Sequence, residues 1–380
     1  MTAGSTTKTK LEITDLSRGG SGVARDASGR VIFVPWAMPG DVVEVEILEG
    51  KKSAKKNYAQ ARLLSILKPS PERVLAPCPI FTKCGGCQWQ HVPYSLQWKT
   101  KSNGVKQALE RVQVALPEKS FELFPAEKIW GYRNRVQLRG YKNQMGFYGS
   151  GTNDLIPAEK CPIAREEINA EWEKIKAKGS LLAKPYKVEI EVTSPPTSLG
   201  EVGVTWNSPH AASGFRQIHD EQNEKLRLWI SGVITPGQEV YDLYGGSGNL
   251  SLLLAPKMKS VECVDSYLSA SKIQFPTNMT FHRSSVLSWL QKKAKSVDQA
   301  TSKAAILDPP RIGLSHEFSE IAQALEALGV RQLVLVGCDV DVWAKDISKF
   351  LKRKWTLQKV AVFDFFPQTP HVESAGLLSN

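Results

Sequence analysis

Apolar and polar positions alternate with period two over residues 9–66, and turn signals interrupt the alternation. Leu11 and Ile13 alternate; Gly19, Gly20 and Gly22 break the run; Val31 to Val34 resume it; Pro39-Gly40 turns the chain before Val43, Val45 and Ile47. Short alternating runs at this spacing predict a small five-stranded, OB-like barrel. Lys68-Pro69-Ser70-Pro71 reads as a linker. Helical spacing follows near 95–112. Strand patterns recur at Val136 to Arg139 and Val188 to Val192, so the middle of the chain is β-rich.

From about residue 211 strands alternate with helices. Val240 to Leu243, Val261 to Val264, Ala304 to Leu307, Leu333 to Val336 and Val360 to Phe366 read as strands. Leu250 to Leu254 and the Phe318, Ile321, Leu325, Leu328 series read as helices. Such alternation predicts a mostly parallel, doubly wound sheet. The expectation is a multi-domain α/β protein in three parts: a barrel over 1–68, a β-rich region over 69–210 and a Rossmann-like domain over 211–380.

The excess of 49 basic over 38 acidic residues gives a net charge of +11. A basic surplus favours polyanions through counterion release. Lys51, Lys52, Lys55 and Lys56 concentrate that charge in a loop of the barrel, which fits either a solvated turn or an RNA contact. No run of about 20 apolar residues predicts a membrane span. The polar start MTAGSTTKTK has no apolar core of a signal peptide, so a cytoplasmic setting is expected. A monomer is the default expectation.

Six cysteines are present, and Cys78, Cys84 and Cys87 lie close together, with Cys161 further on. The tight Cys84-x-x-Cys87 pair in a long chain points to ligands rather than disulfides. Four thiolates suit zinc or an iron–sulfur cluster equally by spacing.

Val240-Tyr241-Asp242-Leu243-Tyr244-Gly245-Gly246-Ser247-Gly248-Asn249 is a strand running into a glycine loop. A dinucleotide fingerprint wants a third glycine where Ser251 stands, so the loop is closer to those that hold adenosylmethionine. Asp265, at the end of the next strand, is placed to hold ribose hydroxyls. Cys338 and Asp308 each end an apolar strand, the rim where open α/β sheets bind ligands. Cys338 is therefore a candidate nucleophile, whereas Cys263 lies inside a strand and reads as a core thiol. The loop after the last strand ends in His371-Val372-Glu373 and offers Glu373 as a general base.

Taken in order, these stretches resemble the bacterial uracil-5 RNA methyltransferases, in particular the iron–sulfur-containing 23S ribosomal RNA branch with an N-terminal TRAM barrel. The resemblance rests on Gly20-Ser21-Gly22-Val23-Ala24-Arg25, the Cys78 to Cys87 cluster with Cys161-Pro162-Ile163, Phe215-Arg216-Gln217, the glycine loop, Asp308-Pro309-Pro310-Arg311 with Gly313, and His371-Val372-Glu373. It implies S-adenosyl-L-methionine as cofactor, a 4Fe–4S cluster on Cys78, Cys84, Cys87 and Cys161, and RNA as partner, with 23S rRNA ahead of tRNA. It implies Cys338 as nucleophile and Glu373 as base. Gln217, Tyr244, Asn249, Asp265, Ser285 and Asp308 would contact the cofactor or target uracil, with Arg311 supporting the RNA or the loop.

Two features depart from the family pattern. Gly337-Cys338-Asp339-Val340 stands where the family has Ser-Cys-Asn-Pro, and Asp339 is expected to disfavour the thiolate. The stretch from Asp265 to Phe281 is short, which predicts an open adenine pocket. The first departure would suit an RNA-binding protein with a decayed site; the joint presence of Asp308, Cys338 and Glu373 speaks against that.

Overall fold

The computed structural model describes residues 7–48, 57–116, 120–193, 201–208, 216–266, 274–295 and 302–380. The lysine-rich loop with Lys51, Lys52, Lys55 and Lys56 lies outside them, as does Phe215. Nor do they include any helix long and apolar enough to cross a membrane.

The N-terminal strands are β1 (Thr7–Glu12), β2 (Asp15–Leu16), β3 (Gly22–Arg25), β4 (Val31–Val34), β5 (Val42–Leu48) and β6 (Tyr58–Lys68). They form one sheet in the order β1-β5-β6-β4-β3-β2. The sheet wraps on itself, because Leu11 near one edge and Ala24 near the other share a core with Ile32, Val34, Val43 and Val45. The sixth strand, beyond the five expected, is the two-residue β2, too short to carry an alternation. Asp41 ties the barrel to the linker: it is fully buried and accepts from Arg73 at 2.6 Å and from the Ser70 N–H at 2.9 Å.

A helix, α1 (Tyr94–Arg111), and strand β7 (Phe121–Phe124) come next, and the central sheet follows. Its strands are β8 (Arg135–Tyr141), β9 (Gln144–Tyr148), β10 (Leu155–Pro157), β11 (Tyr186–Val192) and β12 (Val202–Trp206), with α2 (Glu166–Ala170) and α3 (Trp172–Ser180) between. The order is β10-β9-β8-β11-β12, all antiparallel. Trp172 and Ile175 of α3 close one face over Val136, Leu138, Val188 and Ile190.

The C-terminal layer comprises α4 (Asp220–Val233), β13 (Glu239–Leu243), β14 (Ser260–Asp265), β15 (Met279–Arg283), α5 (Val286–Ala294), β16 (Lys303–Leu307), α6 (Phe318–Ala327), β17 (Val330–Gly337), α7 (Val340–Lys352), β18 (Thr356–Phe363) and β19 (Glu373–Ser379). Its sheet runs β15-β14-β13-β16-β17-β19-β18-β7. The first five are parallel, and β19 is inserted antiparallel between β17 and β18. Strands buried on both faces need apolar side chains on both, hence the continuous runs in the sequence.

Three expectations are corrected here. Leu250 to Leu254 forms turns leading into a short 3-10 segment, not an α-helix. The last apolar strand stops at Phe363, not Phe366. Residues 94–124, inside the 69–210 segment of the sequence reading, pack with the C-terminal sheet: β7 pairs with β18, and Val105 and Leu109 of α1 join the core beneath α7. The free edge of β18 explains this, since an edge left open exposes unpaired backbone groups.

Lys101 of α1 and Asp364 at the end of β18 form an ion pair of 2.7 Å with both side chains fully buried. Removing one partner of such a pair strands the other charge. Lys101→Met is therefore expected to destabilise the protein by about 3–5 kcal/mol. Urea unfolding reads this directly, and an unchanged midpoint would show that the pair does not hold the layers together.

Candidate active site

Register builds one rim. Leu243 pairs with Val264 on one side and Leu307 on the other, so Tyr244, Asp265 and Asp308 emerge side by side from β13, β14 and β16. Leu307 pairs with Leu335, which brings the end of β17 and Cys338 alongside. Asp265 pairs with Arg283, so Ser285 follows at the far end of the row. On the opposite flank Gly337 pairs antiparallel with Ser374, which makes Cys338 and Glu373 the next cross-strand neighbours. Such neighbours have Cβ atoms about 4.5–5.5 Å apart.

The glycine loop is shaped for a ligand. A Cβ on Gly245 would meet Cys263 Sγ at 2.6 Å and the Asp242 carboxyl at 2.7 Å. Gly246 takes a φ of +55° and faces open space, while its N–H donates to Asp265 Oδ2 at 3.0 Å. Tyr244 sits at φ +61°, a rare conformation for a bulky residue that marks stored strain at a functional turn. Burial, with Glu317 and Asp346 nearby, pushes its phenol up to about 12.

Asp242 beneath the loop is a participant the sequence reading missed. It is buried, accepts from Ser251 Oγ at 2.5 Å, and its Oδ1 has no partner. A carboxylate inside an apolar strand was the available signal. Burial raises it to about 6. An orphaned buried acceptor beside an open glycine turn fits a cofactor with donor groups, as adenosylmethionine has.

The other expected contacts divide. Both ends of the Asn249 carboxamide engage Asn223 of α4, at 3.0 and 2.8 Å. Gln217 is buried, and its backbone carbonyl accepts from Asn134 Nδ2 at 2.9 Å. Ser285 caps α5, accepting from the Ser288 N–H at 3.3 Å. Residues 267–273 lie outside the described residues, and with them part of the short stretch expected to open the adenine pocket.

Burial pushes the Cys338 thiol up to about 11, Glu373 and Asp308 add to the rise, and Arg311 opposes it by charge and by a hydrogen bond. Asp339, expected to burden the thiol, has a different part: it is the N-cap of α7, accepting from the Val342 N–H at 3.1 Å. A cap carboxylate is stabilised by the helix N-terminus, so the departure from the family pattern builds the helix that follows Cys338. Asp346 of α7 accepts from the Leu314 N–H at 2.9 Å and thereby fixes the loop that carries Arg311.

Cys338 opens on a cavity of about 270 Å³ whose walls include Arg18 and Gly19 of the barrel, Trp89, Lys101 and His371. Arg18 reaches across to Asp341, donating to both carboxylate oxygens at 2.9 Å. The barrel thus forms part of the wall beside Cys338.

Cys78, Cys84, Cys87 and Cys161 line a separate cavity of about 180 Å³. They stand around it; among the described residues no three His, Cys, Asp or Glu side chains close on a single ion position. Burial pushes the Cys87 thiol up to about 12, with the other three thiols adding to the rise. Preformed donors aim at the sulfurs: Gly86 N–H reaches Cys84 Sγ at 3.4 Å, and the Ile163 and Ala164 N–H groups favour the charged form of Cys161. Arg133 does the same by charge for Cys84 and Cys161. Four thiols, directed N–H groups and a cation fit an anionic thiolate-bound group.

Burial raises Asp308 and Glu373 well above ordinary carboxyls, each helped by a facing carboxylate: Asp242 for Asp308, Asp308 for Glu373. The folded state therefore binds these protons more tightly than the unfolded chain, and stability falls as pH rises from about 4 through the raised values. Asp308→Asn is expected to stabilise the protein at pH 8 by on the order of 1–3 kcal/mol and to do much less at pH 4. Urea midpoints at the two pH values check this; equal effects at both would contradict the burial argument.

Comparison with known proteins agrees with this architecture. The tRNA (Uracil-5-)-methyltransferase family model matches residues 206–380, and the TRAM domain model matches 7–64. An uncharacterized RNA methyltransferase of Bdellovibrio bacteriovorus is 30% identical over 387 residues, covering 98% of this chain and 95% of that protein. One of Streptomyces coelicolor is 26% identical, covering 97% and 92%. The fold is similar to that of Pyrococcus abyssi tRNA (uracil-54, C5)-methyltransferase in complex with S-adenosyl-L-homocysteine, with a TM-score of 0.71 and 20% identity over 97% of this chain and all of that one. The chain belongs to the RNA (uracil-5-)-methyltransferase family, whose members are S-adenosylmethionine-dependent transferases with RNA as substrate.

Proposed function

We propose that Cys338 and Glu373 carry out the methylation of a uridine in 23S ribosomal RNA, and that the four-cysteine cavity holds a 4Fe–4S cluster. The observation that carries the first part is the register that sets Cys338 beside Glu373, with Asp308 and Arg311 close enough to influence the thiol.

The cofactor supplies an electrophilic methyl group when bound. Asp265, Tyr244 and the backbone of Gly246 would hold it at the glycine loop, with Asp242 beneath. The residues of this chain do the rest. Cys338 gives up its proton to solvent, favoured by Arg311, and its sulfur adds to carbon 6 of the uracil. The electron pair displaced to carbon 5 forms the new bond to the methyl carbon as the methyl–sulfonium bond breaks, its pair staying on the departing sulfur. Glu373, ionised, takes the proton from carbon 5, and the returning pair expels the Cys338 thiolate. The target base must leave its stack to reach this rim, and the cavity beside Cys338 offers it space. Burial is the main force that keeps the thiol protonated, and Asp308, in its neutral form, removes the smaller charge repulsion that its carboxylate would add.

Cys78, Cys84, Cys87 and Cys161 would ligate the cluster. A cluster fills the space between its thiolates, whereas one zinc ion needs all four within about 2.3 Å of a single point. Thiols spread around a cavity suit the former. Purification without oxygen is expected to give a brown protein with broad visible absorbance and about four irons per chain, the content of one such cluster. A colourless protein with stoichiometric zinc would sink this part.

Resemblance to the cluster-containing branch supports 23S rRNA. The name of the matching family model favours tRNA as the second reading. Labelled adenosylmethionine offered to unmodified ribosomal and transfer RNA, with nucleoside analysis, separates them. Label is expected as 5-methyluridine in 23S rRNA. Label in tRNA alone would replace the substrate, and label in another nucleoside would overturn the mechanism. Cys338→Ala is expected to abolish turnover while retaining the cofactor. Glu373→Gln is expected to trap a protein–RNA adduct that survives a denaturing gel.

A further inference from the structure

The segment between β18 and β19, residues 364–372, delivers Glu373 to the rim, and one of the buried side chains that hold it is Gln97. Gln97 of α1 is 1% exposed. Its Oε1 accepts from the Gln368 N–H at 2.9 Å. Its Nε2 donates to Gln368 Oε1 at 3.0 Å, to Val92 O at 2.8 Å and to Trp89 O at 3.1 Å. One carboxamide therefore joins α1, the stretch that follows the last close cysteine, and the segment that carries the base.

The surrounding bonds converge on the same few residues. Gln368 O accepts the N–H groups of both Gln88 and Trp89 at 3.0 Å. Tyr132 Oη donates to Pro367 O at 2.9 Å, and Lys101 Nζ to Phe366 O at 2.9 Å. Gln368 itself sits at φ +70°, a conformation a glutamine holds only where its surroundings over-determine it. Four residues separate Gln368 from Glu373, and one of them, Pro370, is stiff. A shift at Gln368 is thus passed on to the base with little loss.

We propose that Gln97 is a positioning residue: through Gln368 it sets Glu373 for removal of the carbon 5 proton, and it has no part in cofactor binding or in the attack by Cys338. The asymmetry follows from the fold. Cys338 is fixed by β17 and by the Asp339 cap of α7, and the cofactor loop by β13 and β14, whereas the Gln97 carboxamide bonds Gln368, Val92 and Trp89. Only the base depends on the clasp. Losing it should slow the last step and leave the earlier ones, so the covalent intermediate should build up. This inference rests on Glu373 being the base.

The test uses the full chain with transcribed 23S rRNA and labelled adenosylmethionine. Gln97→Leu keeps the volume and removes every bond of the clasp. It is expected to bind S-adenosylhomocysteine within twofold of wild type and to keep its cofactor KM. Turnover should fall about 10- to 100-fold, the cost of a small misplacement of a reacting group. A denaturing gel should show accumulated adduct. Adduct at the wild-type level overturns the proposal. Gln97→Glu decides the matter if the leucine variant loses cooperative unfolding. Its carboxylate can accept from Gln368 N–H but cannot donate, so adduct should accumulate at pH 8. On protonation it donates again, so the deficit relative to wild type at the same pH should shrink toward pH 6. A constant ratio, or none, overturns the proposal. If Glu373→Gln traps no adduct, the base assignment falls and the clasp with it. If Glu373→Gln traps adduct and the Gln97 variants do not, the clasp alone falls.

Discussion

Gly337 and Ser374 face each other across β17 and β19, and the chemistry of the site depends on that one pairing. The five parallel strands deliver Ser285, Asp265, Tyr244, Asp308 and Cys338 to a single rim, but a parallel sheet brings every strand to that rim with the same polarity. A carboxylate facing Cys338 from across an antiparallel ladder needs a strand of opposite direction. The insertion of β19 between β17 and β18 supplies it, and Glu373 is the residue at which that strand begins. A slip of one residue would turn Glu373 to the other face of the sheet. The register is specified from both sides, because β19 is buried along nearly its whole length and pairs with a neighbour on each edge.

The same placement creates the electrostatic problem of the site. Glu373, Asp308 and Cys338 are crowded where water is scarce, so each resists ionisation, and burial is the leading cause for all three. Arg311 is the counterweight, lowering both the thiol and Glu373. Its own position depends on Asp346 of α7, which holds the loop through the Leu314 N–H. The helix that Asp339 caps therefore supports the cation that favours the thiolate. A residue that reads in the sequence as a defect beside Cys338 is, in the fold, part of the frame that holds the loop carrying Arg311.

What the sequence disclosed follows from what burial imposes on it. The parallel strands of the C-terminal layer are apolar on both faces, so Val240 to Leu243, Ala304 to Leu307 and Leu333 to Val336 stand out, and so do the polar residues that end them. Tyr244, Asp265, Asp308 and Cys338 were legible for that reason. Gln97 and Lys101 were not. They lie on a helix of mostly polar composition, where a glutamine and a lysine look like a solvated face, and only the arrival of residues 364–372 from 263 or more positions away buries them. Strand β7 was hidden for a related reason: an edge strand of four residues has no periodicity to show. Asn249 was recognised as part of the loop, but its reciprocal pairing with Asn223 depends on where α4 packs, which no local pattern records.

The cysteine cavity and the methyl-transfer site look independent in the sequence, where 250 residues separate Cys87 from Cys338. In the fold the stretch that leaves Cys87 is bonded at once to the segment that carries the base, through Gln88 and Trp89 on Gln368 O. Trp89 Nε1 also donates to Gly20 O of the barrel at 3.0 Å. One short stretch thus touches the barrel, the cysteine loop and the catalytic segment. A group bound by the four thiols would rigidify that stretch without taking part in any electron transfer, and methyl transfer to a uridine requires none. If the proposed cluster is bound there, its loss would be felt at Glu373 and at the barrel wall before it was felt at the cofactor loop.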